Sequence, residues 1–133
     1  MSDHDSLNLD ELASRTMKYA DQLREVSRHF FGYEDREGNK YAGINLQFAE
    51  AIDEALDEIV TKYEAEGKRP PAEDIRAARA RQMVKRRHPE LYEEYHTLDS
   101  TIRRIQRWLS DADKAIRARQ SVLKTEREMA GRA

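Results

Sequence analysis

The sequence predicts an all-α fold: an elongated helical hairpin or bundle that ends in a long C-terminal coiled-coil helix. Three observations predict it. Apolar residues recur at alternating spacings of three and four, the heptad rhythm of packed helices. Only five Gly and three Pro interrupt 133 residues. Hydrophobic and charged residues each make up 38% of the chain, a balance that suits long helices with one apolar stripe.

The first helix starts at "LNLDEL", where Asn8 is placed as N-cap, Glu11 as its capping-box partner and Leu7 against Leu12 as a hydrophobic staple. Its stripe is Leu9, Leu12, Tyr19, Leu23, Val26 and Phe30, with Thr16 filling the gap. Gly32 suits the left-handed position that ends a helix. Residues 33–43 read as a loop or small hairpin turning at Glu37-Gly38-Asn39. The second helix begins near Asn45 and gathers Phe48, Ile52, Ala55, Ile59 and Tyr63 on one face, with Asp53, Glu54, Asp57 and Glu58 off it. Gly67 and Pro70-Pro71 stop it and prepare a third helix from about Ala72 to Arg87, whose apolar stripe is only Ala77, Ala80 and Val84, with Met83 nearby. Pro89 marks the next boundary. In the fourth helix Leu91, Tyr95, Leu98, Ile102, Ile105, Leu109, Ala112, Ile116 and Leu123 form one seam, expected to pair between subunits of a homo-oligomer. Arg119 is its polar exception, either fixing register or snorkelling near a frayed end.

Length predicts a single domain, 1–133. Its charge is divided. Residues 1–75 carry 9 basic and 18 acidic residues, and residues 76–133 carry 15 and 8. The expected organisation is therefore acidic N-terminal helices over 1–69, with the loop at 32–44, and basic C-terminal helices over 70–133. The chain has no Cys, which excludes disulfides, thiol nucleophiles and thiolate metal sites. The acidic opening "MSDHDSLNLDEL" has no apolar core of a signal peptide, and no apolar run approaches the roughly 20 residues that span a bilayer. No membrane association is expected, and the expected location is the cytoplasm, or a host's cytoplasm for a phage-encoded chain.

The segment "RAARARQMVKRRH" puts Arg76, Arg79, Arg81, Lys85, Arg86 and Arg87 within thirteen residues that contain no carboxylate. Such crowding is relieved by phosphates, with counterion release adding affinity, or by pairing with the acidic second helix. The outward stripe of the fourth helix reads His96, Ser100, Arg103, Arg107, Ser110, Lys114, Arg117, Ser121 and Lys124, again without a carboxylate. Cations and hydroxyls are phosphate-contacting groups. Arg103, Arg107, Lys114 and Arg117 therefore join the α-helical basic segment as candidate nucleic-acid contacts. Single strands also require aromatic platforms. Tyr33 and Tyr41 in the loop are the freest, whereas Phe30, Phe31 and Trp108 read first as core or core edge.

Catalytic patterns are sparse. "EAIDEALDE" contains two E-x-x-D spacings that resemble half of the magnesium-binding motif of all-α nucleotide pyrophosphohydrolases, but no second acidic helix matches it and Glu50 is expected to face water. Glu93 and His96 have the spacing of di-iron bundles without the second pair that such a site needs. The loop lacks the Gly and Glu that an EF-hand requires at its sixth and twelfth positions. No phosphate-cradling Gly loop or nucleophile elbow is present. His4, His29, His88 and His96 have no evident catalytic partners and suit surface or cap positions. The expectation is a protein without catalytic residues, bound metal or cofactor.

The stretch "TIRRIQRWLSDADKAIRARQSVLKTEREMAG" resembles the C-terminal helix of UvsY-type recombination mediators of tailed phages, through Ala115, Ile116, Arg119, Leu123, Lys124 and Gly131. Chain length and helical character are similar too. The resemblance implies a small oligomeric protein that binds single-stranded DNA and helps load a RecA-type recombinase onto DNA covered by single-strand-binding protein. The family's basic-aromatic motif of the "K-A-R-x-D-Y-Y-x-G" type has only a loose counterpart in "SRHFFG", Ser27 to Gly32. The alternative from charge and heptads is a small phage or bacterial adaptor or inhibitor that engages a protein through its coiled coil.

Overall fold

A computed structural model describes residues 7–132. The chain is all-α: α1 (Leu9–Phe31), α2 (Ile44–Ala65), α3 (Glu73–Arg87) and α4 (Pro89–Ala130), with two three-residue strands, β1 (Gly32–Glu34) and β2 (Lys40–Ala42), between the first two helices. It divides into two compact units, one formed by Met1–Val26 with Thr101–Ala133 and the other by Ser27–Ser100. Each unit draws residues from both the acidic and the basic part of the chain.

In the first unit, the start of α1 is capped as its sequence predicts. The Glu11 amide donates to Asn8 Oδ1 at 2.8 Å. The Glu11 carboxylate accepts from the Asn8 side-chain amide at 2.8 Å, so the reciprocal bond forms side chain to side chain. Leu12, one turn in, is fully buried. Thr16, the polar gap in the stripe, turns its hydroxyl onto the Leu12 carbonyl at 2.8 Å. Helices α1 and α4 run antiparallel: Tyr19 meets Trp108 with ring centroids 5.2 Å apart, and the Leu7 carbonyl, two residues ahead of α1, accepts from Arg119 Nε at 3.2 Å. Ile102, Ile105 and Ala112 of α4 are buried. These three seam positions are covered within the chain, and Leu123, at 40% exposure, is the exposed member of the apolar seam. Arg119 has a specific use, because its bond to Leu7 ties α4 to the entry of α1.

In the second unit, α2 and α3 pack face to face over Phe48, Ala55, Ile59, Ala80 and Val84, all buried, with Leu91, Tyr92 and Tyr95 of α4 against the same cluster. Ala55 and Ala80 keep the helices close, and each large side chain fully buried here contributes about 1.5–3 kcal/mol. Phe48 stacks on Tyr95 at 3.9 Å. The expected loop is a hairpin in which Gly32, Tyr33 and Glu34 pair with Ala42, Tyr41 and Lys40. Gly38 turns it at φ +85°. Asp35 Oδ1 accepts from the amides of Glu37 and Asn39, both at 2.9 Å. Those bonds, the Asn39 amide first, hold the Asp35 carboxyl below its ordinary pKa. The hairpin closes where Gly32 (φ +81°) meets Gly43, and a Cβ on Gly43 would overlap the Phe30 carbonyl and the Gly32 amide. No other residue fits that junction without moving backbone.

Candidate functional site

The two basic segments belong to different units. In the second unit, one α3 arginine meets the acidic row of α2. Arg87 forms a two-pronged bond to Glu58, Nη1 to Oε2 at 2.5 Å and Nη2 to Oε1 at 2.9 Å. That hydrogen bond is the main reason the Glu58 carboxyl titrates below its ordinary value, and the Arg87 guanidinium is held above its own. Arg79 donates from Nη1 to the Tyr63 hydroxyl at 2.6 Å. Lys85 lies 5.6 Å from the centre of the Tyr92 ring. Arg76 is half-buried beside Pro70 and Pro71. Arg81 and Arg86 are exposed. The helix predicted as one phosphate-binding patch therefore has much of its charge engaged by its own unit.

The stripe on α4 is different. His96, Ser100, Arg103, Arg107, Ser110, Lys114, Arg117, Ser121 and Lys124 are all exposed, so the periodicity placed every one on the solvent side. Arg117 bonds Asp113 one turn away, Nε to Oδ2 at 3.1 Å, with both side chains largely in water. Such a pair contributes little and yields readily to a phosphate. Over Arg103 to Lys124 the cations extend along roughly 32 Å of helix at 1.5 Å per residue.

The aromatic residues sort as follows. Trp108 packs on Tyr19 with Arg104 over its ring at 5.5 Å, which makes it a core-edge residue. Phe30 is buried, while Phe31 is 63% exposed beside it. Tyr33 and Tyr41 stack on each other at 4.7 Å, and Arg28 covers the Tyr33 ring at 4.1 Å. Tyr41 is 47% exposed and Tyr33 39%.

The carboxylates of "EAIDEALDE" do not face a bundle interior: Glu50, Asp53, Glu54 and Asp57 are exposed and Glu58 is tied to Arg87. Among the described residues, no three His, Asp or Glu side chains cluster as a metal site, and no helix is long and apolar enough to cross a membrane. His88 joins two helices, donating its amide to the Val84 carbonyl and accepting from the Tyr92 amide. His29 and His96 are exposed, and His4 lies outside the described residues. Sequence reasoning missed Lys62, Tyr63 and Lys68, which share a groove with Arg79 and Arg86. Tyr63 continues the core stripe of α2 and Lys62 flanks it, but that stripe does not show which α3 residues lie across the groove.

Comparisons with family models, curated proteins and solved structures find no match to this chain.

Proposed function

We propose that this chain is a non-catalytic nucleic-acid-binding protein that tracks a phosphate backbone along α4. It would serve as a recombination or replication accessory factor, the role that the resemblance of its C-terminal helix implies. The observation that carries this reading is the exposed stripe from Arg103 to Lys124, cationic and hydroxylic throughout and without a carboxylate. Hydroxyls between the cations supply neutral phosphate donors. The exposed Tyr41 at the hairpin favours single-stranded DNA, whose bases are free to stack. Fluorescence anisotropy with labelled single- and double-stranded DNA tests it. Each phosphate neutralised on a single strand adds roughly 0.7 to the salt slope, so four contacts weaken binding about 50-fold when salt rises about fourfold. Absence of binding at low salt overturns the reading.

A second reading, a protein-binding adaptor, draws on Val122, Leu123 and Met129, large apolar side chains exposed near the end of α4. A recombinase, a single-strand-binding protein or another copy of this chain would meet α4 there. Truncation before Val122 abolishes such an interaction and leaves most of the stripe in place.

A further inference from the structure

Between α2 and α3, within the second unit, lies an open groove of about 570 Å³. That volume falls in the range of small-molecule sites, roughly 300–1,000 Å³. Its floor is apolar: Ile59 is buried, and Tyr63 and Met83 are half-buried. Its walls carry five cations and two carboxylates. Both carboxylates are held by cations of the same groove, Glu58 by Arg87 and Glu66 by Lys68 at 3.4 Å. Lys62, Arg79 and Arg86 remain, with the field of Lys62 also reaching Glu58. Arg79 is oriented by its 2.6 Å bond to the Tyr63 hydroxyl, which leaves the rest of its guanidinium fork to the groove. Arg79 and Arg86 lie two turns apart on one face of α3, with the Gln82 amide between them.

An apolar floor beneath two guanidinium forks is suited to one class of ligand. Planar guanidinium groups match phosphate oxygens two at a time. Met and Tyr side chains accept a flat ring, and Gln82 supplies both a donor and an acceptor for its edge. We propose that the α2–α3 groove binds a nucleotide, its base on Ile59, Tyr63 and Met83 and its phosphate between Arg79 and Arg86. The nucleotide is either free or the phosphorylated end of a strand. This site lies outside the α4 stripe and does not depend on strand binding there.

Isothermal titration of the full chain with adenosine monophosphate tests the proposal. One saturable site per chain is expected. Loss of a charge-assisted bond weakens binding roughly tenfold, so Arg79→Ala and Arg86→Ala should each do so. Both side chains are exposed, and circular dichroism confirms that the variants stay helical. Arg79→Lys and Arg86→Lys, which keep the charge but lose the fork, provide a second route and should bind between the two extremes. Inorganic phosphate, lacking a base, should bind more weakly than the nucleotide. A single-stranded oligonucleotide with a 5′-phosphate, compared with the same strand lacking it, separates the two sources. Competition with the nucleotide only when the phosphate is present assigns the groove to strand ends, and no difference assigns it to free nucleotide. The proposal is overturned if no saturation occurs below about 10 mM nucleotide at low salt. It is also overturned if both Ala variants bind as the parent does, or if phosphate binds as well as the nucleotide. A variant with Arg107, Lys114, Arg117 and Lys124 replaced by Ala should keep nucleotide binding, so failure of the groove and failure of the stripe are read apart.

Discussion

The two basic helices look alike as strings of residues and differ as surfaces. In α3, six cations lie within thirteen residues, and two of them are engaged by α2: Arg87 is bonded to Glu58 and Arg79 to Tyr63. In α4, five cations spread over the 22 residues from Arg103 to Lys124 lie on the exposed side of the helix, and Arg107, Lys114 and Lys124 make no ion pair among the described residues. The lesson concerns electrostatics rather than composition. A charge already hydrogen-bonded to a carboxylate must give up that bond to meet a phosphate, while a solvated one gives up only water and counterions. Local density of Arg and Lys is therefore a poorer guide to an interface than the absence of carboxylates along a face that the fold leaves open.

The largest effect should come from removing the open set. Replacing Arg107, Lys114, Arg117 and Lys124 by Ala should lower single-strand affinity about 100-fold at low salt and flatten the salt slope by about 3, measured by anisotropy across a salt series. Replacing Arg81 and Lys85 of α3 should cost only a few-fold. Equal losses from the two sets would break the contrast.

Next in size is a change that loosens α3 without touching charge. Val84 is 2% exposed in the α2–α3 core, and Val84→Ala should destabilise the second unit by about 2 kcal/mol, seen as an earlier urea midpoint by circular dichroism. Strand binding by α4 should stay within about twofold of the parent. A collapse of binding together with stability would show that α3 takes part after all.

Helix existence, order and inward faces were legible because a period of 3.6 is written into the spacing of apolar residues, and Asn8, Gly32, Pro70 and Pro89 punctuate it. The outward stripe of α4 was legible for the same reason, since fixing the seam fixes the opposite side. Partnership was not legible. Heptad spacing says that Ile102, Ile105 and Ala112 need cover, but not that α1 of the same chain supplies it, because both arrangements satisfy the same apolar surface. Nor does spacing say which carboxylate takes which arginine: Glu58 and Arg87 are 29 residues apart and meet only through the α2–α3 turn at Gly67. Lys62 and Tyr63 were missed as groove residues because a groove belongs to two helices at once.

The smallest effect tests that pair directly. Glu58 titrates below its ordinary value of 4.5, held there first by the Arg87 hydrogen bond. A carboxyl whose pKa is lowered by folding binds its proton more readily in the unfolded chain. Its contribution is fully present at neutral pH and disappears as pH falls below 4.5 and through the lowered value. Glu58→Gln should therefore be slightly less stable than the parent in urea at neutral pH. The gap should close in acid, where the parent carboxyl is protonated too. A gap of the same size at both pH values would assign the effect to packing. The substitution also releases Arg87 from its carboxylate. If the bond to Glu58 is what keeps Arg87 from phosphate, the variant should bind single strands a few-fold more tightly, whereas Asp113→Asn on the already solvated α4 stripe should change affinity less. The opposite ranking would mean that the Arg117–Asp113 pair restrains the stripe more than the two-pronged bond restrains α3, and the distinction between the two helices would fail.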